Sequence, residues 1–197
     1  MIIILTIVIS FLCGSIPTGY LIIKKLYGID IRTKGSGNIG STNVKRIAGI
    51  KISIVTQIID ILKGIIPVAL GMYLPEIINL PVSLDTYVSI ITISVILGHD
   101  YTPFLEFNGG KGVNTTLGAF ILTAPIPTLT GVAIHFVLRL FTNIVSIRSI
   151  AIGIVIPIAC IILKFPIPII ISTILACILM IVRHKENLIR IIHNEEN

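Results

Sequence analysis

Two short glycine-rich stretches carry the polar groups best suited to chemistry. The first, residues 35–46, combines glycines, hydroxyl groups and amides with Lys45 and Arg46. Glycines let successive backbone N–H groups converge on an anion, and nearby hydroxyl and guanidinium groups complete such a nest. These residue types favour a phosphate-binding loop over an ordinary turn beside a membrane helix. The spacing G-x-G-x-x-G also occurs here, but a dinucleotide site needs a βαβ unit around it, and the flanking apolar segments supply none.

The second stretch, residues 108–112, reads Asn-Gly-Gly-Lys-Gly. It is not a Walker A loop, because its glycines are adjacent and no Ser or Thr follows the lysine. Its glycines allow a ligand to approach the backbone closely while Lys111 supplies a point charge. A lysine that merely extends from a helix end toward the membrane surface would show the same pattern. Taken alone, this stretch leaves both interpretations open.

The C-terminal segment supplies a third group of polar side chains. His184 and Asn187 are three residues apart, so they share a face if the segment is helical. Arg183 and Lys185 stand beside an apolar run, where basic residues normally report membrane topology. We therefore expect His184 and Asn187, rather than their basic neighbours, to serve a site.

Charged residues also occur inside an apolar segment. Asp60 and Lys63 have helical i, i+3 spacing, and opposite charges offset part of the cost of burial in a membrane. Either they form a structural strut or they face a substrate. His99 precedes the second glycine stretch, whereas His135 is expected to be structural.

The composition places these groups in a membrane. Of the 197 residues, 54% are hydrophobic and only 12% charged, and mean hydropathy is +1.04. Soluble domains carry about 25% charged residues. The chain is therefore predicted to be an all-α integral membrane protein with one domain, residues 1–197. Its net charge of +6 comes from basic residues between apolar runs, as in cytoplasmic loops, and does not indicate nucleic-acid binding.

Seven transmembrane helices are predicted, with the N-terminus outside and the C-terminus in the cytoplasm. The segments are Ile2–Ile23, Ile52–Leu74, Ile77–Leu97, Val113–Ala124, Thr128–Phe141, Ser149–Leu163 and Ile167–Val182. A turn at Pro125 and Pro127 separates the fourth from the fifth, because prolines break helices. This arrangement puts every basic residue except Lys63 and Lys164 at the cytoplasmic side, as expected from the positive-inside rule.

Several common catalytic patterns are missing from the sequence. It has no G-x-S-x-G nucleophile elbow, no His-Glu-x-x-His zinc pair and no histidine followed five positions later by aspartate. Its three cysteines stand in apolar stretches without ligand spacing, so no metal or cofactor is expected. The polar residues suit a reaction that joins an anionic soluble molecule to a lipid-borne group by orienting both.

In order and spacing, these motifs resemble those of the bacterial acyl-phosphate:glycerol-3-phosphate acyltransferase family. The matching stretches are residues 14–46, 98–113 and 184–196, and the similarity covers nearly the whole chain. The resemblance implies a seven-helix enzyme of the bacterial inner membrane with its active site on the cytoplasmic side. Such an enzyme moves a fatty acyl group from acyl phosphate to the sn-1 hydroxyl of glycerol 3-phosphate. It releases lysophosphatidic acid and phosphate, which is the first acylation step of phospholipid synthesis.

The same resemblance implies roles for individual residues and partners. Its catalytic positions are Ser36, Arg46, Lys111, His184 and Asn187, and Glu196 is a structural acid. The substrate-binding positions are Gly35, Gly37, Asn38, Thr42, Asn43, Gly109, Gly110, Gly112, Ser146 and Arg190. Besides the two substrates and the lipid bilayer, the soluble enzyme that forms acyl phosphate is an expected partner.

Three positions depart from the family pattern. Asn114 and Ser41 each stand where alanine is usual, and Asn194 replaces a glycine. Asparagine can adopt the left-handed conformation that such a glycine provides. We expect these changes to affect acceptor affinity rather than the class of reaction.

Two other functions account for part of the sequence. A carrier for organic phosphate also needs a basic site among helices, and a structural membrane subunit would explain the hydropathy. The clustered glycines argue against the structural subunit. A carrier, unlike an enzyme, acts only across a sealed compartment.

Overall fold

The computed structural model describes residues 2–196, apart from the side chain of Glu76. Within this part of the chain there are no strands, and nine α-helices are joined by short loops and three short 3₁₀ turns. The helices are α1 (Ile2–Ser15), α2 (Thr18–Tyr27), α3 (Ser41–Tyr73), α4 (Leu84–Asp100), α5 (Val113–Phe120), α6 (Pro125–Leu138), α7 (Val145–Ile162), α8 (Ile167–Arg183) and α9 (Lys185–Ile192).

Four helical stretches in residues 2–196 are long and apolar enough to cross a membrane. They are Ile2–Tyr27, Ser41–Tyr73, Leu84–Leu105 and Val145–Ile162. The pair α8 and α9, bent by 54°, would make a fifth, and α6 is a shorter apolar helix. The predicted helical architecture is therefore confirmed, whereas seven spans and their orientation stay a prediction.

The helix ends differ from the predicted segment ends, most clearly in the first three segments. The first segment is broken at Pro17, which lacks the N–H that would continue α1 into α2. Lys63 Nζ donates to the carbonyl of Ile16 at 2.9 Å, and the same oxygen accepts from the Thr18 N–H at 3.0 Å.

The second segment begins at Ser41 rather than Ile52, across a kink at Gly49. The third segment begins at Leu84 rather than at Ile77. The Ser83 hydroxyl accepts from the backbone N–H of Thr86 and so caps the start of α4.

The predicted break between the fourth and fifth segments is present. Helix α5 ends at Phe120, and α6 begins directly at Pro125. Proline fits the first helical position because the N–H that it lacks would have no partner within the helix there. The turn therefore precedes the two prolines instead of containing them.

Glycines allow two pairs of helices to pack closely. A Cβ on Gly14 of α1 would overlap the Val95 carbonyl of α4, and one on Gly98 of α4 would overlap the Phe11 carbonyl of α1. Gly118 of α5 faces the Ile61 carbonyl of α3 in the same way. Small residues at membrane helix interfaces permit such backbone contact.

Replacing Gly118 by alanine should destabilise the protein by about 1–3 kcal/mol, because the methyl group collides with backbone that cannot move independently. Thermal unfolding in detergent measures the effect. Gly131→Ala on α6 is the matched control, since its Cβ would lie 3.2–3.3 Å from the side chains of Ile156 and Ile152 and 3.6 Å from the nearest backbone oxygen. Equal midpoints for the two variants would contradict the proposed close contact.

A buried apolar cluster anchors the first glycine stretch to the neighbouring helices. It contains Ile23, Ile31, Ile39, Val44 and Leu105. These side chains come from α2, the loop, α3 and the connection before α5. The loop is therefore fixed to the helices on both sides of it.

Candidate active site

A polar cavity of about 510 Å³ brings the three sequence motifs together. Its walls come from the first glycine stretch, the N-terminal half of α3, the C-terminal ends of α4 and α6, the N-terminal ends of α5 and α7, the junction of α8 with α9, and the C-terminal tail. The predicted site residues that line it are Ser36, Asn38, Thr42, Asn43, Arg46, Lys111, Gly112, Ser146, His184, Asn187 and Glu196.

Asn43 shapes the first glycine stretch. Its buried amide Nδ2 contacts three backbone carbonyls of the loop, and its Oδ1 accepts from the Ser36 N–H at 2.9 Å. Gly35 and Gly37 have φ angles of 58° and 73°, and a Cβ on Gly35 would overlap Asn43 Oδ1. Glycine is required at both positions because other residues disfavour the left-handed region. Gly35 and Gly37 therefore form the turn, and they do not line the cavity.

Arg183 fixes the second glycine stretch. Its guanidinium donates to the carbonyls of Gly110 at 2.9 Å and Gly109 at 3.0 Å, and lies 5.0 Å from the ring centre of Tyr101. Gly109 and Gly110 therefore shape the loop that presents Lys111 and do not line the cavity. We expected Arg183 only to report topology, and its role is visible only in three dimensions.

A chain of side-chain contacts joins the second motif to the C-terminal tail. Lys111 Nζ donates to Asn187 Oδ1, and Asn187 Nδ2 donates to Glu196 Oε1. The Ser146 hydroxyl also donates to Glu196 Oε1 at 3.0 Å, while Arg190 pairs with Oε2 at 2.7 Å. Arg190 thus contacts Glu196 instead of lining the cavity, and Glu196 fixes the orientation of Asn187.

Burial and neighbouring charges shift the pKa values of the ionisable groups in this series of contacts. Burial, together with the charge of Arg190, lowers the pKa of Lys111 to about 8. Burial alone would raise the pKa of Glu196, but hydrogen bonds from Arg190, Asn187 and Ser146 lower it. Glu196 is therefore ionised, and Lys111 carries its charge below about pH 8.

His184 is neutral in this environment. Burial lowers its pKa to about 4, against the opposing effect of the Met180 carbonyl. Because a carbonyl only accepts, His184 Nδ1, which lies 2.7 Å from that oxygen, carries the hydrogen. The Nε2 atom is then the nitrogen with a lone pair available to accept a proton.

Asp60 and Lys63 form a buried ion pair of 2.9 Å within α3. Lys63 also holds the carbonyl of Ile16, so the pair acts as the strut that the sequence suggested. Asp60 and the buried His99 also line the deep part of the cavity. The substrate-facing alternative for Asp60 therefore stays open.

Two departures from the family pattern contact each other. Asn114 Nδ2 donates to the Ser41 hydroxyl at 3.1 Å, and Gln57 Nε2 lies 3.4 Å from Asn114 Oδ1. Together they bridge α3 and α5 at the cavity wall. Asn194 has a φ of 57°, so it adopts the left-handed conformation for which glycine is usual.

The fold and the cavity define a helical membrane protein with a polar cavity that several basic side chains line. A family model for glycerol-3-phosphate acyltransferase matches residues 4–194. A glycerol-3-phosphate acyltransferase of Clostridium acetobutylicum is 68% identical over 99% of this chain and 98% of its own length. One of Geotalea daltonii is 42% identical over 95% of this chain and 93% of its own length.

Solved structures show the same likeness. The glycerol 3-phosphate form of PlsY, an integral membrane glycerol 3-phosphate acyltransferase, aligns with a TM-score of 0.89 at 30% identity. The match covers 100% of this chain and 95% of that one. The lysophosphatidic acid form of PlsY aligns with a TM-score of 0.87.

This chain belongs to the glycerol-3-phosphate acyltransferase family of PlsY type. It is an integral membrane acyltransferase of phospholipid synthesis.

Proposed function

We propose that this chain transfers a fatty acyl group from acyl phosphate to the sn-1 hydroxyl of glycerol 3-phosphate, releasing lysophosphatidic acid and inorganic phosphate. The observation that carries the proposal is the contact chain from Lys111 through Asn187 to Glu196. It joins two distant motifs in one cationic cavity of a size suited to small ligands. The solved relative in its glycerol 3-phosphate form supports the choice of acceptor.

The cavity faces the cytoplasm of a bacterial inner membrane in this proposal. Seven spans, with α1 and α2 counted as one and the N-terminus outside, place the loops before α3, α5 and α7 on the same side as the tail. The basic residues concentrate in these loops, as the positive-inside rule requires. A soluble acceptor and a donor made by a soluble enzyme can then reach the site directly.

The transfer needs no covalent enzyme intermediate. The acceptor hydroxyl oxygen attacks the acyl carbon, the bond from that carbon to the phosphate oxygen breaks, and the electron pair leaves with the phosphate. The hydroxyl proton passes to the departing phosphate or to His184. Orientation of the two substrates can lower the activation barrier by about 7–11 kcal/mol. The cations screen the repulsion between the two phosphates.

The predicted catalytic residues divide these tasks. Lys111, Arg46 and Ser36 hold phosphate groups, and Asn187, fixed by Glu196, orients a substrate. Among the other predicted binding residues, Asn38, Thr42, Gly112 and Ser146 line the cavity and complete the site. Gly35, Gly37, Asn43, Gly109, Gly110 and Arg190 act through the shape of the loops and the tail.

Replacing His184 by glutamine separates the two destinations of the proton. If His184 is the general base, the variant should lose about 100-fold or more in kcat. If the departing phosphate takes the proton, kcat should stay within about threefold, because glutamine keeps a hydrogen-bonding group. Since burial lowers the pKa of His184 to about 4, a base role also predicts an acid limb well below pH 6. We expect the near-normal result, because a group of that pKa is a weak base.

The reaction itself is tested with purified protein in detergent. Glycerol 3-phosphate is supplied with acyl phosphate, acyl-CoA or acyl carrier protein as donor, and lysophosphatidic acid is measured. We expect product from acyl phosphate alone. A carrier for organic phosphate would form no product without a sealed compartment, and equal use of acyl-CoA would contradict the proposed donor.

A further inference from the structure

A second group of basic side chains lines the cavity, and the reaction above gives it no task. It consists of His135 and Arg139 at the C-terminal end of α6 and Arg148 in the first turn of α7. We call it the α6–α7 cluster. Neither the motifs nor the predicted site residues include any of its members.

Arg148 is buried without an acidic partner. Its side chain is 8% exposed, and one guanidinium nitrogen donates to the Asn143 carbonyl at 3.3 Å. Within residues 2–196 its Nε is buried and has no hydrogen-bond partner, and the ion pairs join other residues. A buried guanidinium requires an anion and hydrogen bonds to offset its lost solvation. Arg148 therefore presents an unused donor and an unneutralised charge at the cavity.

The carboxylates of the cavity do not neutralise this charge. Among the described residues, Asp60 and Glu196 are the acids that line it, and each already pairs with a cation outside the lining, Lys63 or Arg190. His135 Nδ1 is also buried without a partner in this part of the chain. Buried polar atoms that face a cavity without a partner indicate that a ligand contacts them, and the Arg148 Nε–H requires an acceptor.

We propose that the α6–α7 cluster is a second phosphate-binding subsite, which holds the phosphate of the acyl donor and then the inorganic phosphate produced. The inference rests on the proposed function, in which two phosphate groups share one cavity. Phe136 and Val145 line the cavity beside the cluster, and Phe136 is 59% exposed on the apolar surface of the bundle. This surrounding suits a phosphate that carries an acyl chain, whereas Lys111 and Asn187 take the soluble acceptor.

The subsite also acts in the chemical step. As the bond between the acyl carbon and the phosphate oxygen breaks, negative charge grows on that oxygen. The buried guanidinium of Arg148, held by the Asn143 carbonyl, stabilises this charge from a fixed position, which lowers the barrier more than mobile water does, and the exposed Arg139 adds a second positive charge. The phosphate is held there until it leaves.

Phosphate binding to Arg148→Gln and Arg139→Gln tests the subsite. Inorganic phosphate is titrated against the thermal midpoint in detergent, with saturating glycerol 3-phosphate present to occupy the Lys111 side. We expect its apparent affinity to fall about tenfold or more in Arg148→Gln, the loss expected for one charged hydrogen bond. Lys51→Gln, which removes an exposed charge of α3 outside the cavity, should leave it unchanged.

Kinetics give an independent comparison on the same variants. The KM for acyl phosphate and the inhibition constant of inorganic phosphate should both rise about tenfold, while the KM for glycerol 3-phosphate stays within about twofold. Arg148→Lys should recover part of the loss. If Arg148→Gln does not fold, Arg139→Gln carries the test, because Arg139 is exposed.

Three results would overturn the inference. Unchanged phosphate affinity in both glutamine variants would remove the subsite. A rise confined to the KM for glycerol 3-phosphate would assign the cluster to the acceptor. An effect seen only in nanodiscs that contain phosphatidic acid would assign it to a lipid headgroup. Failure of the proposed function is distinguishable, because the wild-type chain would then form no lysophosphatidic acid although phosphate still shifts its midpoint.

Discussion

Lys111→Ala should lower kcat/KM for glycerol 3-phosphate by about 100-fold or more. Lys111 is largely buried in the cavity, and its ammonium contacts Asn187. Removing it deletes a charged hydrogen bond to the acceptor phosphate and also leaves Asn187 without its donor, and each loss amounts to about 1–3 kcal/mol. The measurement is initial rates of lysophosphatidic acid formation over a range of acceptor concentrations.

The pH dependence of the wild type provides a second test of Lys111. Its pKa of about 8 means that the ammonium is present below pH 8 and lost as the pH rises through that value. The KM for glycerol 3-phosphate should therefore increase above about pH 8. Lys51→Ala, which removes an exposed cation outside the cavity, is the control for net charge. Unchanged acceptor kinetics in Lys111→Ala would remove the anion-binding argument.

Arg183→Lys should raise the KM for glycerol 3-phosphate about tenfold, although it keeps the positive charge. Arginine donates to the carbonyls of Gly109 and Gly110 together and lies over the ring of Tyr101. A lysine cannot reproduce this planar, two-pronged contact, so the loop that presents Lys111 loosens. Steady-state kinetics with both substrates measure the effect.

Because Arg183 acts through Lys111, the two substrates should respond differently to the Arg183→Lys change. The KM for acyl phosphate should change less than the KM for the acceptor. A double variant with Lys111→Ala should lose little more than Lys111→Ala alone, because two residues that serve one contact are not additive. Additive losses would show that Arg183 works elsewhere.

Much of the fold was predictable because composition leaves few alternatives. A chain with so few charges requires lipid around it, and the break before Pro125 follows from the missing N–H of proline. The break at Pro17 rests on the same principle, but the uninterrupted apolar run around it favoured a single helix. Helix ends such as Leu84 depend on local caps, which hydropathy does not reveal.

The site was predictable where residue type itself carries the chemistry. Glycines, lysine, histidine and asparagine in three stretches indicated an anion site, and the structure brings Lys111, His184 and Asn187 to one cavity. Arg183 and Arg148 were missed because their importance lies in what surrounds them. Arg183 has two carbonyl partners, and Arg148 is a buried cation that pairs with no acid among residues 2–196. Neither condition leaves a pattern in the sequence.

The proposed site requires that the second glycine stretch and the C-terminal tail lie on the same, cytoplasmic face of the membrane. Cysteines placed at Asn108 and Glu195, in a chain whose Cys13, Cys160 and Cys177 are replaced by alanine, can be labelled with a membrane-impermeant maleimide in whole cells. We predict that both positions react only after the membrane is permeabilised. Reaction of either one in intact cells would place a part of the cavity outside the cell and contradict the proposed site.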